Sequence, residues 1–287
     1  MLFLLQDGEN KYIPMHLSTE SQSNSVEGYW GNPTSTIDWC EDDYAVSFYI
    51  AEFWNTLTNL GIIIPAVLGL IAAIQDKVEP RTVLGYLALL AVGIGSWCFH
   101  MTLQFHMQLL DELPMIWGCC IFLYCLVECT SAPKSHNLIL GVMLLLCAVV
   151  ITVVYVVFKI PSIFQISFGV LAISMIIKSI NYLRTTECAG RFFYGAITCY
   201  ALGTICWCLD YSICPSLQYF REVVPAVFRP LLQLHGWWHI CAGLGISCHI
   251  LFIYDIRCHY LQQKHKVKRF LGVVPYMRVE NPRPEKA

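Results

Sequence analysis

A serine, three histidines and a pair of adjacent carboxylates stand inside otherwise apolar stretches of this chain. Ser96 and His100 are four residues apart and share one face of a helix, and Asp111 and Glu112 follow eleven and twelve residues after His100. Far downstream, His235 and His239 repeat the i, i+4 spacing that lets two imidazoles hold one metal ion. Polar side chains in an apolar run cost free energy unless they pair with one another or hold a metal. Three histidines with an open fourth position are the donor set of a catalytic zinc site. Water there ionises near neutral pH and can attack a carbonyl. In such a site His100, His235 and His239 hold Zn2+ and Asp111 handles protons. Ser96 hydrogen-bonds the substrate carbonyl as charge develops on it. The plainer alternative is that each histidine is a hydrogen-bonded packing residue and that Ser96 bonds back to its own helix. The coincidence of all five groups at one depth favours the site.

The elements that must carry these residues follow from composition. Of 287 residues, 56% are apolar and only 13% charged, with a mean hydropathy of +0.56. Soluble domains carry about 25% charged residues. The deficit excludes an ordinary soluble enzyme and implies a polytopic membrane protein. The net charge of -2 and the lack of any basic stripe leave nothing for nucleic acid to bind. Seven apolar segments, at about 48–74, 83–104, 110–129, 137–157, 161–183, 192–212 and 231–256, each approach the ~20 residues that cross a bilayer as a helix. Helices are required, because every backbone group in hydrocarbon must be satisfied within its own segment. The expected fold is therefore an all-α, seven-transmembrane helix bundle. Residues 48–257 form it, a flexible extension (1–27) and an acidic segment (28–47) precede it, and a basic tail (258–287) follows it.

Basic residues orient the bundle. Arg257, Lys264, Lys266, Lys268 and Arg269 crowd the tail, and Lys77, Arg81, Lys134, Arg184 and Arg191 stand in loops on the same side. That side is expected to be cytosolic and the acidic N-terminal side luminal. His100, Asp111, His235 and His239 then share one membrane level near the luminal face. His249 lies ten residues beyond His239, roughly 15 Å along the helix, too far to join them. His16, His136, His259 and His265 read as exposed, His106 as a loop-edge residue, Asp210 as structural, and Trp237 and Trp238 as interfacial or packing residues. A second constellation gathers Asp38, Glu41 and Asp43 with Glu52. Closely spaced carboxylates suit a hard cation such as calcium, or they are simply a solvated acidic flank.

Several strings carry a resemblance. Gly28-Tyr29-Trp30-Gly31, Ser35 to Glu41, Ala51-Glu52-Phe53-Trp54-Asn55-Thr56, Gly95 to Leu103, Gln108 to Met115 and Trp237-Trp238-His239-Ile240 resemble the alkaline ceramidase family, nearest its phytoceramidase branch. The likeness runs from about Glu27 to Pro275. It implies a seven-helix fold similar to the adiponectin-receptor group. It also implies an intramembrane amidase of the endoplasmic reticulum and Golgi, which takes ceramide from the bilayer and releases a sphingoid base and a fatty acid. By the resemblance, Zn2+ falls on His100, His235 and His239, and catalysis on Ser96 and Asp111. An activating Ca2+ falls on Asp38, the Trp39 carbonyl, Glu41, Asp43 and Glu52. Asp43 departs from the family pattern, which has an asparagine there, but a carboxylate keeps an oxygen ligand. The competing class is a zinc-containing lipid receptor of the same architecture; a transporter is disfavoured by the lack of repeat symmetry. No nucleic-acid or obligate protein partner is expected, only ceramide and membrane lipids. Of the fifteen cysteines, Cys40 and Cys214 lie in polar segments on the luminal side, where an oxidising compartment permits a disulfide between them.

Overall fold

The structure, a computed structural model, describes residues 28–280 apart from 187 and 273. The expected flexible extension 1–27 lies outside the described residues. Among these, seven helical spans are long and apolar enough to cross a membrane. The first span is broken into α1 (Phe53–Thr58) and α2 (Leu60–Gln75); α3 (Pro80–Thr102), α4 (Phe105–Val127), α5 (Leu138–Phe158), α6 (Pro161–Thr185) and α7 (Gly190–Ser212) follow. The short amphipathic α8 (Cys214–Val223) leads into α9 (Leu234–Tyr260). The 27 residues of α9 span about 40 Å. It contacts α1, α2, α3, α4 and α7 and is the central helix, with 72% of its apolar window buried against 11% for α5. The outer face of α5, with Leu138, Ile139, Met143 and Leu146 exposed, is left for lipid.

Two helix crossings are built by the same device. A proline inside a helix has no N–H for the carbonyl four residues earlier. Pro114 in α4 frees the Leu110 carbonyl in this way, and Pro65 in α2 frees that of Gly61. Each freed carbonyl lies against a glycine of a neighbouring helix. A Cβ added to Gly95 of α3 would collide with the Leu110 oxygen, and one added to Gly243 of α9 with the Gly61 oxygen. The bare Cα positions let the backbones approach closely, as small residues do at helix contacts in membranes. The first crossing sets α3 against α4 beside Ser96 and Asp111. The second sets α2 against α9 one turn beyond His239.

The C-terminal region differs from the expected basic tail. Residues His265–Phe270 (β1) and Val274–Val279 (β2) pair antiparallel, Val267 opposite Met277. Apolar residues alternate along β2, so Met277 and Val279 are buried while their neighbours point outward. The hairpin packs on α2 and α9. Asp76, at the end of α2, accepts the Val279 N–H at 2.7 Å and pairs with Arg278 at 2.7 Å. The all-α, seven-helix fold holds, and the two-stranded hairpin is a small addition to it. An apolar alternation of only a few residues lies hidden among lysines and arginines in the sequence.

Gly95→Ala and Gly243→Ala are each expected to destabilise the protein by at least the roughly 1–3 kcal/mol of an overpacked contact, because the obstacle is backbone that cannot rotate away. Thermal unfolding in detergent checks this. An unchanged midpoint for both variants would show that the crossings are looser than described.

Candidate metal centre and active site

The last carbonyls of α3 have no partner within the helix, and the N-terminal segment supplies them. The N–H of Glu52 donates to the His100 carbonyl and that of Ala51 to the Met101 carbonyl, each at 3.0 Å. Thr34 and Ser35 donate to the Leu103 carbonyl, and the Gln108 side chain accepts from the Thr36 N–H at 2.8 Å. This docking lays the Glu52 side chain, fully buried, against His100, whose Nδ1 it contacts through Oε2.

His100, His235 and His239 converge and are all buried. Each offers a ring nitrogen within 4.8 Å of the others. The second nitrogen of two of the rings is held from outside the cluster. Glu52 holds His100 Nδ1, and the Thr58 hydroxyl lies 3.0 Å from His239 Nδ1. His235 stacks on Trp39 with ring centroids 3.8 Å apart. Its backbone N–H donates to Asp210 at 3.1 Å, which caps the start of α9. Among the described residues, His100 Nε2 and His235 Nδ1 are buried without a hydrogen-bond partner. A buried unsatisfied polar atom costs about 1–3 kcal/mol. A metal ion bound by ring lone pairs removes that cost, and outer groups that fix the other nitrogen are usual around metal-bound histidine. The three residues therefore fit a metal ion.

Ser96 and Asp111 lie next to this cluster, close enough to interact with each other. Ser96, Asp111, His235 and His239 all open onto one cavity of about 460 Å³. Its walls are mostly apolar, Trp39, Met115, Phe122 and Phe168 contributing to them. It continues inside the bundle to His249, whose imidazole is held by Ser179 at 2.8 Å and Tyr200 at 3.3 Å. His249 is a buried histidine with both nitrogens engaged and stands apart from the triad. Glu112 points to Tyr155 and Gln108 instead of the triad.

The acidic segment divides between two jobs. Asp38, Asp43 and Glu52 each bring one carboxylate oxygen within 4.8 Å of the others. Asp43 Oδ1 and Glu52 Oε1 are buried without a partner. Burial raises the pKa of Asp38, and it raises that of Asp43 to about 7, the charges of Glu52, Asp38 and Asp42 adding to it. Burial likewise raises the Glu52 carboxyl well above the ordinary range. Such a set fits a hard cation, which neutralises the repulsion and satisfies the orphan oxygens. Glu41 is placed differently. Its two oxygens accept the N–H groups of Trp54 at 2.7 Å and Asn55 at 2.8 Å, capping α1, and burial raises its carboxyl to about 8. The Trp39 backbone N–H lies near the Asp38 and Glu52 carboxylates.

Cys40 and Cys214 form a disulfide with Cα atoms 5.3 Å apart. It fastens the acidic segment to the start of α8. Cys40 is held further by Asp210, which accepts its N–H at 3.1 Å, and by Arg221, which donates to its carbonyl at 2.5 Å. Asp210, read as structural from the sequence, therefore bridges the acidic segment and the start of α9. Sequence spacing did not reveal the contacts of Glu52 with His100, Thr58 with His239 or Trp39 with His235. The one signal available was the polar run Asn55, Thr56, Thr58 and Asn59 inside an apolar segment.

The Ceramidase family model matches residues 31–278. The chain belongs to the ceramidase family. It is 45% identical to Alkaline ceramidase 3 of Mus musculus over 88% of this chain and 96% of that protein. It is 38% identical to an alkaline ceramidase of Saccharomyces cerevisiae, over 82% and 80% of the two chains. An alkaline ceramidase of Arabidopsis thaliana is 30% identical over 91% and 99%. The family match spans the histidine triad, the Ser96–Asp111 pair and the acidic segment alike.

His235→Ala and His239→Ala are each expected to lower the metal content of the purified protein by one ion per chain. Elemental analysis decides. A full metal complement in either variant, with helical circular dichroism preserved, would remove that histidine from the ligand set.

Proposed function

We propose that this protein is a zinc-dependent intramembrane ceramidase that hydrolyses the amide bond of ceramides, phytoceramide and dihydroceramide among them, to a sphingoid base and a free fatty acid. The observation that carries this reading is one apolar cavity, inside the bundle, onto which Ser96, Asp111, His235 and His239 all open. Membership of the ceramidase family and the relatives named alkaline ceramidases support the substrate class.

The apolar walls receive the hydrocarbon chains and exclude water from all but the polar end, so a lipid amide entering from the bilayer is held with its carbonyl among the polar groups. Zinc, held by His100, His235 and His239, supplies Lewis acidity there, polarising a carbonyl and raising the acidity of water. Asp111 takes the proton of the attacking water and returns it to the departing amine nitrogen, which must leave protonated. Ser96 donates its hydroxyl hydrogen to the carbonyl oxygen as negative charge gathers on it. Glu52 and Thr58 keep the His100 and His239 rings turned inward.

Calcium is the proposed activator. Asp38, Asp43 and Glu52 supply carboxylate oxygens to it, and the Trp39 carbonyl and the outer lone pairs of Glu41 complete the proposed set. Because Glu52 also contacts His100, an ion that orders Glu52 orders a zinc ligand directly. The acidic segment and the disulfide face the lumen of the endoplasmic reticulum and Golgi in this reading, and the hairpin faces the cytosol.

Purified protein is expected to release sphingoid base and fatty acid in equal amounts from ceramide in detergent. Asp111→Asn and Ser96→Ala should keep their metal and lose turnover, by roughly 10²–10⁴-fold for the proton-transfer step. No release by metal-loaded wild type would leave a lipid receptor as the reading; near-normal turnover in a variant would remove that residue from the mechanism. In chelator-treated protein, added Ca2+ should raise hydrolysis in the wild type and leave Asp43→Ala unresponsive. Equal wild-type rates with and without calcium would refute the regulatory role.

A further inference from the structure

A third cluster of potential ligands stands at the end of α9 remote from the triad. Sixteen residues separate His239 from Asp255, roughly 24 Å of helix. Asp255 and His259 occupy successive turns of α9, and His265 opens β1. Each offers a ligand atom within 4.8 Å of the others. Asp255 Oδ1 is 2.8 Å from His265 Nε2, and Asp255 Oδ2 is 3.7 Å from His259 Nε2. Asp255 is buried, and its Oδ2 accepts the Ala189 N–H at 2.7 Å. The His265 side chain is only 15% exposed, against the sequence expectation of a solvated histidine, whereas that of His259 is 48% exposed. The paired hairpin holds His265 inward, a constraint its place in a basic run does not show.

The hydrogen bonds of His265 define what the cluster needs. Its Nδ1 lies 3.2 Å from the Gln263 carbonyl, which only accepts. Its Nε2 lies 2.8 Å from Asp255 Oδ1, which as a carboxylate oxygen also only accepts. A neutral ring has one proton for these two acceptors, so one of the two contacts repels. A second ring proton, or a cation in place of the proton on Nε2, relieves it. A carbonyl holding one nitrogen while the other faces a carboxylate and a second imidazole is the outer arrangement of a metal-bound histidine. Two histidines and a carboxylate are also an established zinc donor set. Ligands on tetrahedral zinc sit roughly 3.3 Å apart when bonds are about 2.0 Å. The 2.8 and 3.7 Å separations, one to each Asp255 oxygen, lie on either side of that value.

We propose that Asp255, His259 and His265 form a second metal site, for a divalent ion of the zinc class, that fastens the C-terminal hairpin to the end of α9. The half-exposed His259 gives the ion its way in, and solvent takes the fourth position. Through Asp255 the site also reaches Ala189, so one ion ties together α9, the hairpin and the segment before α7. The site is separate from the proposed catalytic zinc and does not depend on it.

The test uses the full chain, stripped with chelator in detergent and titrated with Zn2+ alone, bound zinc being counted after desalting. Wild type should bind two ions, His235→Ala one, His265→Gln one and the double variant none. His259→Gln, on the exposed side of the helix and so tolerant of substitution, should weaken the second ion by at least about tenfold. Zinc should also slow tryptic cleavage after Lys266 and Lys268 in His235→Ala, and have no such effect in His259→Gln. Wild-type zinc content in His265→Gln with unaltered affinity in His259→Gln would overturn the proposal. So would a single wild-type zinc lost entirely in His235→Ala, leaving the cluster an imidazolium–carboxylate pair. A failure of the catalytic-zinc reading appears separately, as a normal count in His235→Ala.

Discussion

A carboxylate with no access to water, pressed against an imidazole, is the contact on which this structure turns. Glu52 and His100 are both fully buried and touch through Oε2 and Nδ1. Neither group is tolerable there alone, because transferring an unpaired ionisable group out of water costs several kcal/mol. Together they require the N-terminal segment to lie across the end of α3, and that docking is made by backbone hydrogen bonds to carbonyls the helix could not satisfy itself. The disulfide, Arg221 and Asp210 hold the same segment from its other side. The acidic segment is thus part of the outer support of the histidine triad as well as a candidate cation site.

The bundle places its polar groups economically. α9 carries the His235–His239 pair near one end, His249 in its middle and Asp255 and His259 near the other end, and each is met by a partner from a different helix or from the hairpin. Ion pairs such as Arg257 with Glu79 close the end distant from the triad. The cavity between the two ends is mostly apolar, with Ser96, Asp111, His235 and His239 together on its wall. The proline–glycine crossings bring α3 to α4 and α2 to α9 closely enough for those groups to share one cavity wall.

What the amino-acid sequence determined is what depends on neighbours along the chain. Seven spans were legible because the length of an apolar run is set by the bilayer it must cross, and the observed helices match them to within a few residues at most ends. The His235–His239 pair was legible because four residues is one helical turn, and Cys40 with Cys214 because polar flanking segments set them apart from the buried thiols. The tertiary structure alone decided the rest. Glu41 and Glu52 look alike in sequence, yet Glu41 caps α1 with both oxygens while Glu52 spans the gap between the acidic cluster and His100. The partners of His100, His239 and His265 are 48, 181 and 10 residues away, and no periodicity connects them. The physical reason is common to all of these cases. Spacing governs which groups share a helix face, but the second hydrogen bond of an imidazole or a carboxylate is made to whatever another element brings within about 3 Å, and only packing settles which element that is.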